Sequence, residues 1–338
     1  MSAKNSKISV ILIIIHCIIV LLMLAVFLNK FIAPKTISCF GFLSLVFPVL
    51  FIVNLIFTLF WLVERKRFSI IFLIITILLF FPIQKYVHFW KKYDGKNIPN
   101  TLKIITYNTN YGNKGKNLKE LDEYVLKQDA DIVFFQEIYT RQWRSSETLL
   151  TNRYNAIFDL VGISSKYPIV NKQKIILPGK GYACFADIQR EDDTLRCFNL
   201  YLEPMSLKKS LFHMENADDA ASKTKAVTEK LSVGFKKHQV QADILSRYIK
   251  TSPYPVIVCG DFNSVPMSYE YFLIKDDLQD VFEAGGRGWG MTFYDYFYPI
   301  RIDYIFVDGD RFVPKDCYVD KNVKLSDHYP VVAEIQLK

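Results

Sequence analysis

Pro255-Val256-Ile257-Val258-Cys259-Gly260-Asp261-Phe262-Asn263 is an apolar run that closes on a glycine, a carboxylate and a carboxamide. A short β-branched run bounded by proline and glycine reads as an apolar strand. The polar residues at its exit then stand where a sheet opens to solvent, a place suited to metal binding and proton transfer. The arrangement recurs along the chain. Asn108 follows Ile104-Ile105-Thr106-Tyr107, and Glu137 follows Phe134-Phe135-Gln136. Asp303 heads Tyr304-Ile305-Phe306-Val307, and Asp327-His328 precedes Tyr329-Pro330-Val331-Val332. Singly, each has a plain reading as a turn amide, a solvated acid, a capping acid or a structural imidazole. Converging strand-end oxygens would instead make a hard-cation site, suited to Mg²⁺ or Mn²⁺. No paired Cys or His spacing points to zinc.

Further β-type runs lie at 182–188, 195–202 and 331–337. Helical spacing appears at 117–127, through Leu118, Leu121 and Val125, and at 233–249, through Phe235, Val240, Ile244 and Ile249. Mixed strands and helices over 101–338 predict one α+β domain with two packed sheets flanked by helices. The polar stretch 91–100, with Gly95 and Pro99, reads as a linker.

Residues 1–90 have a different character. Residues 8–28 include 16 Ile, Leu, Val or Phe among 21 and no Lys, Arg, Asp or Glu, which matches the roughly 20 residues that span a bilayer. Residues 37–63 form a second apolar run, and 68–83 a third of about 24 Å as helix, long enough to cross if it continues to residue 90. Three transmembrane helices, at about 8–28, 37–63 and 68–90, are therefore expected, with no signal-peptide cleavage pattern after the first. Lys4 and Lys7 before the first run and Arg65-Lys66-Arg67 in the tight loop between the second and third favour the cytoplasm for those segments and the outside for the large domain, against Lys30, Lys35, Lys85, Lys91 and Lys92 on the opposite side.

The charge divides in the same place. Of 42 Lys and Arg, 11 lie in residues 1–100 with only Glu64 and Asp94, whereas 101–338 hold 31 against 32 acids. The net +8 thus belongs to the membrane-like part, and bulk charge does not argue for nucleic-acid binding by the domain. Of the six cysteines, Cys17 and Cys39 lie in apolar runs and read as small buried apolar residues. The other four show no metal-ligand spacing and select no disulfide.

Taken in order, Asn108, Glu137, Gly260-Asp261-Phe262-Asn263, Arg301-Ile302-Asp303-Tyr304 and Ser326-Asp327-His328 resemble the endonuclease/exonuclease/phosphatase superfamily, which is deoxyribonuclease-I-like. Gly162-Ile163-Ser164-Ser165-Lys166-Tyr167-Pro168 is similar to another family segment, and the anchored arrangement resembles membrane-bound bacterial members. The resemblance covers about 101–338. It implies a four-layered α/β/β/α sandwich with the site at one edge, preceded here by a transmembrane helical segment. It further implies a divalent-metal-dependent hydrolase of phosphate esters, most simply a phosphodiesterase. Metal would fall to Glu137, with Asn108 and Asp327 close by. Asp261 would orient or deprotonate the attacking water, Asn263 would hold the phosphate, and His328, supported by Asp303, would stabilise the phosphoryl oxygens.

One position departs from many lipid- and inositol-phosphate-cleaving relatives. Tyr201 ends the run Phe198-Asn199-Leu200-Tyr201 where those carry a histidine, as in the superfamily's apurinic-site endonucleases; a phenol donates a hydrogen bond but is a poor base at neutral pH, which is compatible with hydrolysis and argues against a sphingomyelinase-type assignment. Nucleic acid, a phospholipid or a phosphorylated small molecule all stay open as substrates, with the bilayer as partner through the N-terminal helices of an inner-membrane protein. Two other classes compete: a tethered phosphate-binding module without catalysis, and a transporter acting through the apolar spans. His16 is the one clear ionisable candidate for the latter.

Overall fold

The computed structural model describes residues 3–89, 99–111, 118–138, 152–205, 217–295 and 298–338. The chain begins with helices α1 (Ala3–Ala25), α2 (Cys39–Val63) and α3 (Ser69–Phe80) and a two-residue strand, β1 (Val87–His88). One sheet has the order β13-β14-β2-β3-β5-β4, formed by β13 (Phe312–Val319), β14 (Val331–Leu337), β2 (Thr101–Asn108), β3 (Ile132–Gln136), β5 (Val161–Ser165) and β4 (Tyr154–Phe158). The other runs β10-β12-β9-β8-β7-β6, from β10 (Gln279–Asp280), β12 (Asp303–Val307), β9 (Val256–Asp261), β8 (Asp193–Tyr201), β7 (Tyr182–Arg190) and β6 (Ile169–Ile175). Each sheet is antiparallel except for one pair, β2 with β3 and β8 with β9.

The layering follows from alternation along strands covered on both sides. Leu102 and Ile104 of β2 face inward, against Cys197 of β8 and Ile257 and Cys259 of β9. Ile105 and Tyr107 face outward, against Leu121 and Val125 of α4 (Leu118–Gln128). On the far side, Phe198 and Leu200 meet Ala242, Leu245 and Ile249 of α5 (Ala217–Lys250) and Tyr271 of α6 (Tyr269–Lys275). The result is helix, sheet, sheet, helix, as expected. Every expected strand forms. Most strands that apolar patterning did not announce are edges, such as β6, whose Asn171, Lys172, Gln173 and Lys174 are exposed. An edge strand buries too little to show a period. All six cysteines are free thiols, with Cys184, Cys197, Cys259 and Cys317 buried.

Two N-terminal helices, spanning Lys7–Lys30 and Cys39–Val63, are long and apolar enough to cross a membrane; the apolar helix at Ser69–Lys85 is shorter. Pro82 accounts for the third: it lacks an N–H, and α3 tightens there into a 3₁₀ turn, Phe81–Lys85. Beyond it, Val87 and His88 pair with Trp289 and Gly288 of β11 (Gly288–Trp289) rather than lengthening the helix. Residues 90–98, which hold most of the expected linker, lie outside the described residues.

The helices grip the sandwich through their ends. Gly41 lets α2 meet α5 closely, since a Cβ there would lie 2.7 Å from the Phe235 ring. The Lys35 N–H donates to Gln239 Oε1 (2.8 Å), and Ser38 and Ser232 hydroxyls lie 2.9 Å apart. Arg301 joins the two parts: Nη1 donates to the Lys85 carbonyl (2.7 Å) and Nη2 to Asp280 Oδ1 (2.6 Å), with both side chains buried. Removing one partner of such a pair leaves a buried, unmatched charge. Arg301→Leu should therefore lower unfolding free energy by about 3–5 kcal/mol in urea titrations of the detergent-solubilised full chain. Adding Asp280→Leu should recover part of that loss; a single-variant effect under about 1 kcal/mol would show that Arg301 is not the anchor point proposed for it.

Candidate active site

The two parallel strand pairs bring four strand ends to one edge of the sandwich. Asn108 pairs in register with Gln136, the residue before Glu137, and Tyr201 pairs with Asp261. Strand β12 runs antiparallel to β9 and starts where β9 ends, so Asp303 is the register partner of Asp261. Gly260 allows this crowding: at φ 145°, a Cβ there would sit 1.9 Å from the Leu200 carbonyl oxygen. Glu137 (φ 51°) and Asn263 (φ 48°) both adopt the left-handed region, a strain of about 1–3 kcal/mol each that is found where surrounding structure holds functional residues in place.

At the centre, Asn108 Nδ2 donates to Asp261 Oδ2 (2.8 Å) and Glu137 Oε1 (3.1 Å). Tyr201 donates its hydroxyl to the same Glu137 oxygen (2.8 Å). Burial and then the Glu137 carboxylate push the phenol far above its ordinary range, so Tyr201 stays a protonated donor that orients Glu137. Asp261 Oδ1 accepts the backbone N–H of Asn263 (2.7 Å), while Asn263 Nδ2 gives one hydrogen to the Leu202 carbonyl (2.9 Å) and has a second to offer.

His328 Nδ1 donates to Asp303 Oδ2 (2.9 Å), and Nε2 lies 3.8 Å from Asp261 Oδ2. Burial alone would lower the imidazole pKa, but Asp303 and Asp261 outweigh it and raise it to about 10. Burial, then the neighbouring Asp303, pushes the Asp261 carboxyl above the usual carboxylate range against the pull of His328. Phe293 covers the imidazole, ring centroids 4.8 Å apart.

Beside these groups opens a cleft of about 230 Å³, lined at its polar end by Glu137, Asn263, Ser264, Asp327 and His328. A family model described as the Endonuclease/Exonuclease/phosphatase family matches residues 105–328.

The chain belongs to this family.

A second family model, a domain of unknown function, matches residues 9–86. No curated protein matches the chain. Among solved structures, D. rerio TDP2 complexed with single strand DNA product is 17% identical, with a TM-score of 0.53 over 70% of this chain and 99% of that one. The endonuclease/exonuclease/phosphatase from Bacteroides vulgatus is 15% identical, with a TM-score of 0.50 over 70% and 99%. At these identities the likeness is one of fold.

In this family member, the eight residues singled out in the sequence gather at one sandwich edge, in two subgroups. Glu137 and Asp327 line the cleft, with Asn108 behind Glu137. Glu137, Asp261, Asp303 and Asp327 set four carboxyl groups about one imidazole, so the site is rich in oxygen donors and short of positive charge. A hard divalent cation fits such a set. Ligand atoms of Asp261, Asp303 and His328 also lie within 4.8 Å of one another. There the imidazolium already supplies the positive charge, so the cluster reads as an ion triad rather than the cation's seat.

Several supporting residues were given no role in the sequence reading, although Ser326 stands in one of its motifs. Ser326 Oγ donates to the Asn108 carbonyl (2.8 Å) and accepts the His328 N–H (3.3 Å), tying the ends of two strands. Thr292 Oγ1 accepts the N–H groups of Ile302 and Asp303 (3.1 and 3.2 Å). Behind the site, Gln136 Nε2 crosses between sheets to Asn199 Oδ1 (2.6 Å), whose Nδ2 serves the carbonyls of Phe135 and Gly162. An amide inside an otherwise apolar strand was the signal available for these two. Of the aromatic run before Asp303, Phe293 covers His328 and Tyr294 stacks on Tyr329, while Tyr296 and Phe297 lie outside the described residues.

His328 gains stability from folding only while protonated. That contribution is full below the unfolded value of 6.5 and is lost as pH rises through about 10, whereas the raised Asp261 carboxyl opposes folding from its unfolded value of 3.8 upward. In chelator-treated protein, NMR titration should show His328 as imidazolium across the neutral range, with Asp303→Asn bringing its titration down. A wild-type His328 that is already neutral at pH 7 would contradict the ion triad.

Proposed function

We propose that this chain is a membrane-anchored, divalent-metal-dependent hydrolase of phosphate esters, acting most readily on diesters. The observation that carries the proposal is the convergence of an oriented carboxylate, Glu137, with the Asp261–Asp303–His328 triad at one end of a cleft. Membership of the family supports phosphoester hydrolysis as the reaction class.

Attack on phosphorus needs an in-line water, neutralised equatorial oxygens and help for the departing oxygen. Asp261 is held by two donors and raised toward proton acceptance, which suits it to orient the water and take its proton. His328 as imidazolium and the second N–H of Asn263 face the phosphoryl oxygens. Glu137, with Asn108 and Asp327, would hold Mg²⁺ or Mn²⁺, which supplies charge neutralisation at the ester. Tyr201 fixes Glu137, so its place beside the phosphate is that of a positioning residue.

The anchor reading rests on the helices. Ile11, Leu21, Ile52, Ile56, Ile71 and Leu78 are all exposed, an apolar surface that a bilayer would cover. The ends of α1 and α3 and the start of α2 lie at the sandwich, and Arg65-Lys66-Arg67 lies at the opposite end of α2 and α3. This matches an extracytoplasmic catalytic domain in a bacterial inner membrane, testable by a reporter fused at Lys338.

The purified full chain should cleave bis(p-nitrophenyl) phosphate with Mg²⁺ or Mn²⁺ and lose that activity in EDTA. Asp261→Ala and His328→Ala should each reduce kcat by about 10²–10³-fold or more. If the folded wild type turns over neither diesters, monoesters, nucleic acids nor phospholipids with either metal, the hydrolase reading is wrong.

A further inference from the structure

The apolar wall of the cleft is completed by a residue from outside the catalytic domain. Leu45 of α2 lines it, together with Leu231 and Phe235 of α5 and with Val265, Ile300 and Ile302. The loop before β12 is fastened to the same place, because the Tyr298 hydroxyl donates to the Leu45 carbonyl (2.7 Å). Leu45 lies six residues into α2, about 9 Å along its axis, and so within the apolar stretch rather than at its mouth. Helical spacing then continues the wall outward through Val49, Ile52 and Ile56, which are 50%, 57% and 60% exposed. An apolar track thus leads along the outside of the helix to the cleft that Asn263, Asp327 and His328 also line.

Charge points the same way. Among the described residues, no Lys or Arg lines this cleft, while Glu137 and Asp327 do. A nucleic-acid strand carries a phosphate at every nucleotide and is held by rows of basic side chains, with stacking aromatics along the groove. This cleft offers a single polar group of residues and a mostly aliphatic remainder, and its two aromatics are engaged by the protein itself, Phe293 on His328 and Phe235 against Phe42 and Gly41.

Resting on the hydrolase reading above, we propose that the substrate is the phosphate ester of a membrane lipid, drawn from the bilayer around the helices. Its chains lie along Leu45, Val49 and Ile52 while its phosphate reaches Asn263 and His328. Hydrolysis adds a water oxygen to phosphorus and breaks one P–O ester bond. One water proton ends on the departing oxygen, releasing an alcohol and a phosphate with one fewer ester link. The lipid-bearing product stays in the membrane, and the polar one leaves on the domain's side.

The test uses the full chain reconstituted in vesicles of phosphatidylcholine, phosphatidylethanolamine, phosphatidylglycerol and phosphatidic acid, with Mg²⁺. Release of water-soluble product is read by mass spectrometry and compared with turnover of the corresponding chain-less glycerophosphates, of bis(p-nitrophenyl) phosphate and of a single-stranded oligodeoxynucleotide. At least one lipid should be cleaved tenfold or more faster than its chain-less counterpart at equal phosphate concentration. Val49→Trp, which obstructs the track, should lower the ratio of lipid to chain-less rate at least fivefold. If that variant fails to fold, as shown by loss of all turnover, the wild-type comparison alone decides. Turnover of soluble esters with lipids no faster than their chain-less forms, or with the oligonucleotide preferred, overturns the lipid proposal and leaves the hydrolase reading standing. No turnover of any ester overturns both.

Discussion

Two carboxylates stand opposite one another inside the sandwich. Asp261 and Asp303 are register partners on adjacent strands and both are buried, a placement that repulsion and desolvation oppose. The pair is tolerable because His328 lies between them, with Nδ1 on Asp303 and Nε2 toward Asp261, and because Asn108 and the Asn263 backbone donate to Asp261. The compensation stops short of complete: Asp303 Oδ1 is buried without a partner. A site in this condition keeps a raised carboxyl and a charged imidazole side by side, the combination that suits proton acceptance next to anion stabilisation.

The scaffold's role is to make that placement unavoidable. Parallel pairing of β2 with β3 and of β8 with β9 lines up strand ends in both sheets, and the antiparallel neighbours β12 and β14 begin at the same edge. The Gln136–Asn199 bridge holds the two edges at a set separation, so Tyr201 from one sheet reaches Glu137 from the other. Gly260 removes the side chain that would otherwise force β8 and β9 apart. Backbone strain at Glu137 and Asn263 is thus held by hydrogen bonds from several elements rather than by the local sequence.

The N-terminal helices are built into this arrangement. Arg301, two residues before Asp303, is fixed by the Lys85 carbonyl and Asp280, and Met267 packs with Met23, Phe47 and Leu79 from three helices. Within the bundle, His16, Asn54 and Thr76 form a buried hydrogen-bonded chain that Trp61 closes through His16 Nδ1, which fixes how α1, α2 and α3 meet. His16, which sequence reading held open as a transport residue, is occupied in this contact.

Much of the protein was legible in its residues because burial and local chemistry leave periodic traces. Apolar runs ending in Asn108, Glu137 and Asp261 announced strand exits bearing oxygen donors, and the apolar stretches at 8–28 and 37–63 announced the helices. What no period records is register and packing between distant segments. That Tyr201 would bind Glu137, that Asp261 would face Asp303, and that Val87 would leave the third apolar run to pair with Trp289 depend on strand offsets and on how two sheets stack. Leu45 shows the difference most plainly: in the sequence it is one more aliphatic residue of an apolar helix, and only the docking of that helix against Phe235 and Tyr298 turns it into a wall of the cleft.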